Sequence, residues 1–247
     1  MRVGRLPIDR VTFSGALEAV VQLIARKQGG TVFTPNVDHI VIAEHDATFC
    51  EAYEAASLSL VDGMPVLWAS HALGAGLPEK ISGSDFVPAL LDLAPSHAWR
   101  VYLLGGAKGS VERAASTLAK RDVNIVGVAS PRIDIDAPDT FAVVADAIAR
   151  TSPDLVLVGL GAPKQEHFAH MVAARLHPAV IVGVGATIDF IAGMVPRAPT
   201  WMSRAGLEWL YRLVREPRRL WRRYLLRDPE FALVVLRQLF RGRSARP

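Results

Sequence analysis

The stretch Gly159-Leu160-Gly161-Ala162-Pro163-Lys164-Gln165-Glu166 decides how the rest of this chain is read. It follows residues 154–158, an apolar, β-branched run that reads as a fully buried strand. It precedes residues 167–175, which read as a helix. Two glycines permit positive φ and close approach of a ligand to the backbone. Pro163 suits the first helical position, where its missing N–H costs nothing. Lys164, Gln165 and Glu166 are then presented at a helix N-terminus. In an open α/β sheet that mouth is where ligands bind.

Working outward, the same strand–turn–helix unit recurs. Strands are expected at residues 31–34, 58–61, 100–104, 123–128, 154–158 and 179–184, with short strands near Pro7. Ser14 is the expected cap of a helix over 15–27, and Ser84 or Asp85 that of a helix ending at Leu93. Helices over 37–44, 47–56, 66–73, 111–120 and 140–151 fill the other intervals. Buried strands alternating with amphipathic helices predict an α/β fold: a Rossmann-like, mostly parallel sheet with helices on both faces.

Composition bounds the class. The chain has 247 residues, 51% of them hydrophobic, enough for a full core. A single cysteine, Cys50, excludes an internal disulfide framework. The opening residues lack a secretory h-region, and no run approaches a membrane span, so a cytoplasmic protein is expected. Net charge is +4, but residues 196–247 hold thirteen arginines, no lysine and four acids. Three of the five tryptophans, Trp201, Trp209 and Trp221, lie there too. The expected boundary therefore divides a catalytic domain, residues 1–195, from a helical appendage, residues 196–247.

Four strand ends carry polar side chains: Thr34 with Asn36; Asp62; Lys164, Gln165 and Glu166; and Thr187 with Asp189. A parallel sheet gathers such ends on one edge. Singly, each is an ordinary turn or cap; together they predict a site. The Gly105–Gly109 turn resembles a phosphate loop without matching either standard glycine fingerprint. His167 and His170 lie one helical turn apart but lack further ligands, and no metal is expected. Asp134-Ile135-Asp136 looks like a metal–nucleotide D-x-D but lies in a proline-bounded loop.

The tail alternates arginine with apolar and aromatic residues. Leu207, Leu210, Tyr211 and Val214 form one face, with Arg204, Arg212 and Arg215 around it. Arg218, Arg219, Arg222, Arg223 and Arg227 surround Leu220, Trp221, Tyr224 and Leu225. Short helices of this kind, broken by Pro217 and Pro229, suit a membrane interface, or they grip pyrophosphate. Nucleic acid is the disfavoured partner, and a homo-oligomer is allowed.

These motifs resemble the WecG/TagA/CpsF glycosyltransferase family. The resemblance rests on Thr34-Pro35-Asn36-Val37-Asp38-His39, Val61-Asp62-Gly63-Met64-Pro65-Val66, Lys80-Ile81-Ser82-Gly83-Ser84-Asp85, the opening stretch, Val184-Gly185-Ala186-Thr187-Ile188-Asp189-Phe190 and Gly206-Leu207-Glu208-Trp209-Leu210-Tyr211-Arg212-Leu213. It implies inverting transfer of a sugar, N-acetylmannosamine or a related hexose, from a UDP-sugar to a polyprenyl-diphosphate-linked sugar. The setting implied is the inner face of the cell membrane, in teichoic acid linkage or exopolysaccharide biosynthesis, without metal or other cofactor. Asp62 matches the family's general base. Thr34, Asn36, Gln165 and Asp189 match pocket positions. Lys80 stands where the family often has arginine, keeping the charge but losing the bidentate fork. Arg212, Arg215 and Arg222 are the tail cations expected to bind substrate.

Two other readings compete. One is a regulatory protein that binds a nucleotide or sugar phosphate and docks on a partner through its basic tail. The other, a Rossmann-like dehydrogenase, is disfavoured because no glycine fingerprint follows the first strand.

Overall fold

A computed structural model describes residues 1–135 and 139–244 of the protein. Asp136 and Pro138, both part of the loop noted above, lie outside the described residues.

The chain opens with an antiparallel hairpin, β1 (Arg2–Val3) and β2 (Leu6–Pro7). Then come α1 (Phe13–Ala25), β3 (Gly30–Phe33), α2 (Val37–His45), α3 (Ala47–Glu54), β4 (Leu58–Ser59), α4 (Met64–Ala72) and α5 (Gly83–Leu93). The second half continues with β5 (Arg100–Gly105), α6 (Ser110–Ala119), β6 (Asn124–Ala129), α7 (Asp139–Ala149), β7 (Leu155–Gly159), α8 (Lys164–Leu176), β8 (Val180–Gly183) and α9 (Thr187–Ile191). Strands β3 to β8 form one six-stranded parallel sheet in the order β4-β3-β8-β7-β5-β6. The fold is therefore the expected Rossmann-like α/β sheet with helices on both faces.

Period-two alternation places the side chains. On β7, Leu155 and Leu157 face one core and Val156 and Val158 the other. Val101 and Leu103 share the first core with Val180 and Val182 of β8. Tyr102, Leu104 and Ile181 share the second with Phe168 of α8. Nearly all are fully buried. Each contributes about 1.5–3 kcal/mol by leaving water, which is why the four central strands are rigid enough to fix their carboxyl ends.

Several boundaries differ from expectation. Thr12, not Ser14, caps α1, its hydroxyl accepting from the Gly15 N–H at 3.2 Å. Ser82, not Ser84 or Asp85, precedes α5, and its hydroxyl donates to Asp85 at 2.6 Å. In both loops several hydroxyl or carboxylate residues stand within two or three positions, and tertiary contacts choose among them. Pro163 occupies the cap position of α8 rather than its first turn, and Lys164 opens the helix.

Beyond residue 199 the described chain is helical: α10 (Thr200–Arg204), α11 (Glu208–Arg215), α12 (Pro217–Arg222), a π-helical turn over Arg223–Arg227, and α13 (Glu230–Ser244). Pro217 opens α12, as a proline in the first turn should. Helix α13 returns to the amino-terminal hairpin. The Gln238 side-chain oxygen accepts from the Gly4 N–H at 2.9 Å, and its amide donates to the Arg2 carbonyl at 3.0 Å. Val234 is buried in the same seam. No helix among the described residues is long and apolar enough to cross a membrane.

Candidate active site

Strands β4, β3, β8 and β7 are consecutive neighbours, so the four polar turns stand side by side on one edge. Above them opens a cavity of about 520 Å³. Thr34, Asn36, Asp62, Gln165, Thr187 and Asp189 line it, as do Gly106 and Ala107 of the β5 turn. Arg212, Arg223 and Arg227 close it from the tail. A second cavity of about 340 Å³ adjoins it, walled by Met64, Pro65, Trp209, Tyr224 and Phe231 and by the Lys80 ammonium. Asn36, Asp62, Glu208, Arg212 and Arg223 belong to both.

Asp62 is held by its backbone. Its N–H donates to the Pro35 carbonyl at 2.9 Å, and Gly63, at φ +89°, turns the chain into α4. Only glycine takes that angle without strain. Burial pushes the Asp62 carboxyl up to about 7, and the nearby Glu208 carboxylate adds to the rise. Lys80, His39 and Arg212 oppose it. The side chain is nevertheless partly open, because it forms the wall between two cavities. A carboxylate with such a value takes up a proton at neutral pH.

Gln165 is pinned at both ends of its amide. Its oxygen accepts from the Gly185 N–H at 3.0 Å, and its nitrogen donates to Glu166 at 2.8 Å. A Cβ on Gly183 would sit 3.1 Å from that nitrogen, so glycine makes the room. Glu166 is fully buried and also meets His39 Nε2 at 3.3 Å. His39 Nδ1 accepts from the Asn36 N–H, while Asn36 Oδ1 caps α2 by accepting from the His39 N–H. With Nδ1 accepting from Asn36, the His39 ring turns its Nε2 towards Glu166. One buried carboxylate thus orients a pocket amide and, through His39, the helix cap behind Asn36.

Asp189 Oδ1 accepts from the Ala107 N–H at 2.9 Å and from the Ser110 hydroxyl at 2.5 Å. It fixes the glycine turn at the entrance of α6. Lys80 donates to the Ser203 hydroxyl at 2.8 Å and lines the second cavity, not the first. Lys164 donates to the Ile133 carbonyl at 3.2 Å, away from both. His167 Nε2 lies 3.0 Å from Asp46, so α8 packs against the cap of α3.

The tail cations sort differently from expectation. Arg212 reaches both cavities, stacked over Phe190 at 5.6 Å, and its buried Nε has no hydrogen-bond partner among the described residues. Arg215 and Arg222 line neither cavity; they lie over Tyr211 and Trp221 at 5.5 and 5.4 Å. In their place stand Arg223 and Arg227. Both pair with the buried Asp38, Arg223 at 3.2 Å, and Arg223 also donates to Asn36 at 3.1 Å. The π-helical turn spans these two arginines and brings them to one carboxylate. Periodicity carried forward from α11 does not foresee that change of phase.

Two cavities meet at one carboxylate on the carboxyl edge of a Rossmann-like parallel sheet, the edge where such folds bind their ligands. The chain belongs to the glycosyl transferase WecG/TagA/CpsF family, whose model matches residues 1–245. Three relatives share one name, N-acetylglucosaminyldiphosphoundecaprenol N-acetyl-beta-D-mannosaminyltransferase. The protein from Bacillus subtilis strain 168 is 33% identical over 87% of this chain and 82% of its own length. That from Bacillus spizizenii is 34% identical over 86% and 80%. That from Staphylococcus aureus strain MW2 is 30% identical over 87% and 84%. The protein is accordingly a glycosyltransferase.

Proposed function

We propose that the protein transfers N-acetylmannosamine or a related hexose from a UDP-sugar to a polyprenyl-diphosphate-linked sugar, with inversion. The observation that carries this reading is Asp62 in the wall shared by a polar and an apolar cavity. The polar cavity suits a nucleotide sugar. The Gly106 and Gly185 turns edge it closely, and Arg212, whose buried Nε has no hydrogen-bond partner among the described residues, supplies a cation. The apolar cavity suits the first isoprene units of a lipid, and Lys80 faces its diphosphate. The names of the three relatives support this acceptor class.

The reaction is a single displacement. Asp62 takes the proton of the acceptor hydroxyl as its oxygen bonds to the anomeric carbon from the face opposite the leaving group. The bond from that carbon to the UDP oxygen breaks, and UDP departs with the electron pair. Arg212 and Arg223 meet the growing charge on the departing diphosphate. Thr34, Asn36, Gln165 and Asp189 hold the donor. Arg215 and Arg222 belong instead to the outer face of the appendage, residues 196–247. There Trp201, Trp221, Leu225, Leu226 and Phe240 are exposed and suited to a lipid surface. Pathway and compartment follow the acceptor: envelope polymer synthesis at the inner membrane face.

The test is direct. Purified protein is incubated with UDP-N-acetylmannosamine and a short-chain polyprenyl-diphosphate-linked N-acetylglucosamine, and the glycolipid is followed by mass. Disaccharide-lipid formation with stoichiometric UDP release is expected. UDP binding without transfer to any lipid-linked acceptor supports the regulatory alternative instead.

A further inference from the structure

Glu208 opens α11 and lines both cavities, yet neither the donor turns nor the leaving-group cations require it. A short chain fixes it. Lys80 donates to the Ser203 hydroxyl at 2.8 Å, and that hydroxyl donates to Glu208 Oε2 at 3.1 Å. Lys80 and Ser203 line only the apolar cavity. The carboxylate is therefore oriented from the side on which the lipid-linked reactant enters. Among the described residues no protein donor reaches Oε1.

An ionised carboxylate only accepts hydrogen bonds. It repels the donor's diphosphate and suits a ligand that presents hydroxyl donors. A sugar beside a diphosphate offers such donors on adjacent ring carbons, and a carboxylate bridges two of them with charge-assisted bonds. We propose that Glu208 is the anchor of the acceptor sugar, accepting hydrogen bonds from ring hydroxyls next to the one that attacks. This rests on the glycosyl-transfer reading above and names the residue that recognises its acceptor. The anchor comes from the appendage while the base comes from the sheet, so acceptor recognition reports that the appendage is docked.

The same placement sets the basicity of Asp62. The groups that face Asp62 are Glu208 and Arg212 from α11, Lys80 from the loop before α5, and His39 from α2. The buried Tyr53 of α3 feels its charge. Glu208 is the carboxylate of that set, and like charge raises the partner's affinity for a proton. Removing it moves the acid limb of activity to lower pH.

The experiment uses the full chain and three proteins: the natural sequence, Glu208→Gln and Glu208→Asp. Initial rates are measured against short-chain polyprenyl-diphosphate-linked N-acetylglucosamine and against UDP-N-acetylmannosamine, and UDP binding is measured by calorimetry. Glu208→Gln is expected to raise the acceptor KM ~10- to 100-fold, the change set by one charge-assisted hydrogen bond. Donor KM does not rise and UDP affinity holds or tightens as the repelling charge is removed, and the acid limb of kcat/KM moves to lower pH. Glu208→Asp recovers part of the acceptor affinity. An unchanged acceptor KM in Glu208→Gln overturns the inference. So does a parallel loss of UDP binding, which marks a purely structural residue. If the natural sequence binds UDP but transfers nothing, the glycosyl-transfer reading fails first, and the anchor fails with it.

Discussion

Replacing Asp62 by asparagine separates catalysis from stability, and the two effects have opposite signs. The Asp62 carboxyl is raised from 3.8 to about 7 in the folded protein. Its folded value lies above its unfolded one, so the charged form opposes folding. That cost is absent below about 3.8 and complete above about 7. A shift of this size corresponds to about 4 kcal/mol at ~1.36 kcal/mol per unit. Because the carboxylate opens onto two cavities, solvent screens part of it, and about 2–3 kcal/mol is the working figure. Asparagine keeps the shape without the charge. Asp62→Asn should therefore melt higher at pH 8, by roughly 4–10 °C for a chain of this size, and the gain should vanish towards pH 4. The same variant loses its general base and should fall ~10²- to 10⁴-fold in turnover. Activity of the natural protein should decline below about pH 7, as the base becomes protonated. Thermal melts at pH 4, 6 and 8, read beside glycolipid formation, make the check. A variant that melts lower at pH 8, or that turns over at the natural rate, refutes the assignment.

Three further perturbations probe the supports of the site. Glu166→Ala releases the Gln165 amide and His39 together, and UDP affinity by calorimetry should weaken ~10-fold while the far-ultraviolet circular dichroism spectrum is unchanged. Asp38→Ala leaves Arg223 and Arg227 without their buried partner; it should cost about 3 kcal/mol in urea unfolding and increase trypsin cleavage within residues 205–230. Leu226→Glu, on the exposed face of the π-helical turn, should reduce flotation on anionic vesicles without altering UDP affinity.

Much of the site was legible because its residues follow strands. A buried apolar run announces each strand, and the next few side chains must then lie on the carboxyl edge. Thr34, Asn36, Asp62, Gln165 and Asp189 are placed on that edge by sequence without knowledge of strand order, and all five line the polar cavity. What sequence could not supply was helical phase in the tail. Arg212, in α11, lines both cavities. Arg215 and Arg222, at the ends of α11 and α12, lie over Tyr211 and Trp221, and the π-helical turn brings Arg223 and Arg227 to Asp38. Glu208 and Asp38 were missed because each looks like a first-turn acid favourable to the helix dipole. The sequence places Glu166 at the same helix N-terminus as Gln165, yet it lies fully buried. Its signal was the burial of the α8 face, visible only once that helix is laid on the sheet.

The seam between Gln238 and the amino-terminal hairpin has a mechanical meaning. It joins residues 234 positions apart in the chain. A side chain at Gly4 would strike Val234 at 2.9 Å, so the fit is close. The other end of the tail is buckled by Lys80 and Ser203. A strap fastened at both ends does not swing like a door on one hinge. Between those ends the strap is pinned again, where Arg223 and Arg227 of the π-helical turn pair with Asp38 and Leu220 of α12 is buried. Loosening the appendage therefore means breaking several separate fastenings, not opening one hinge.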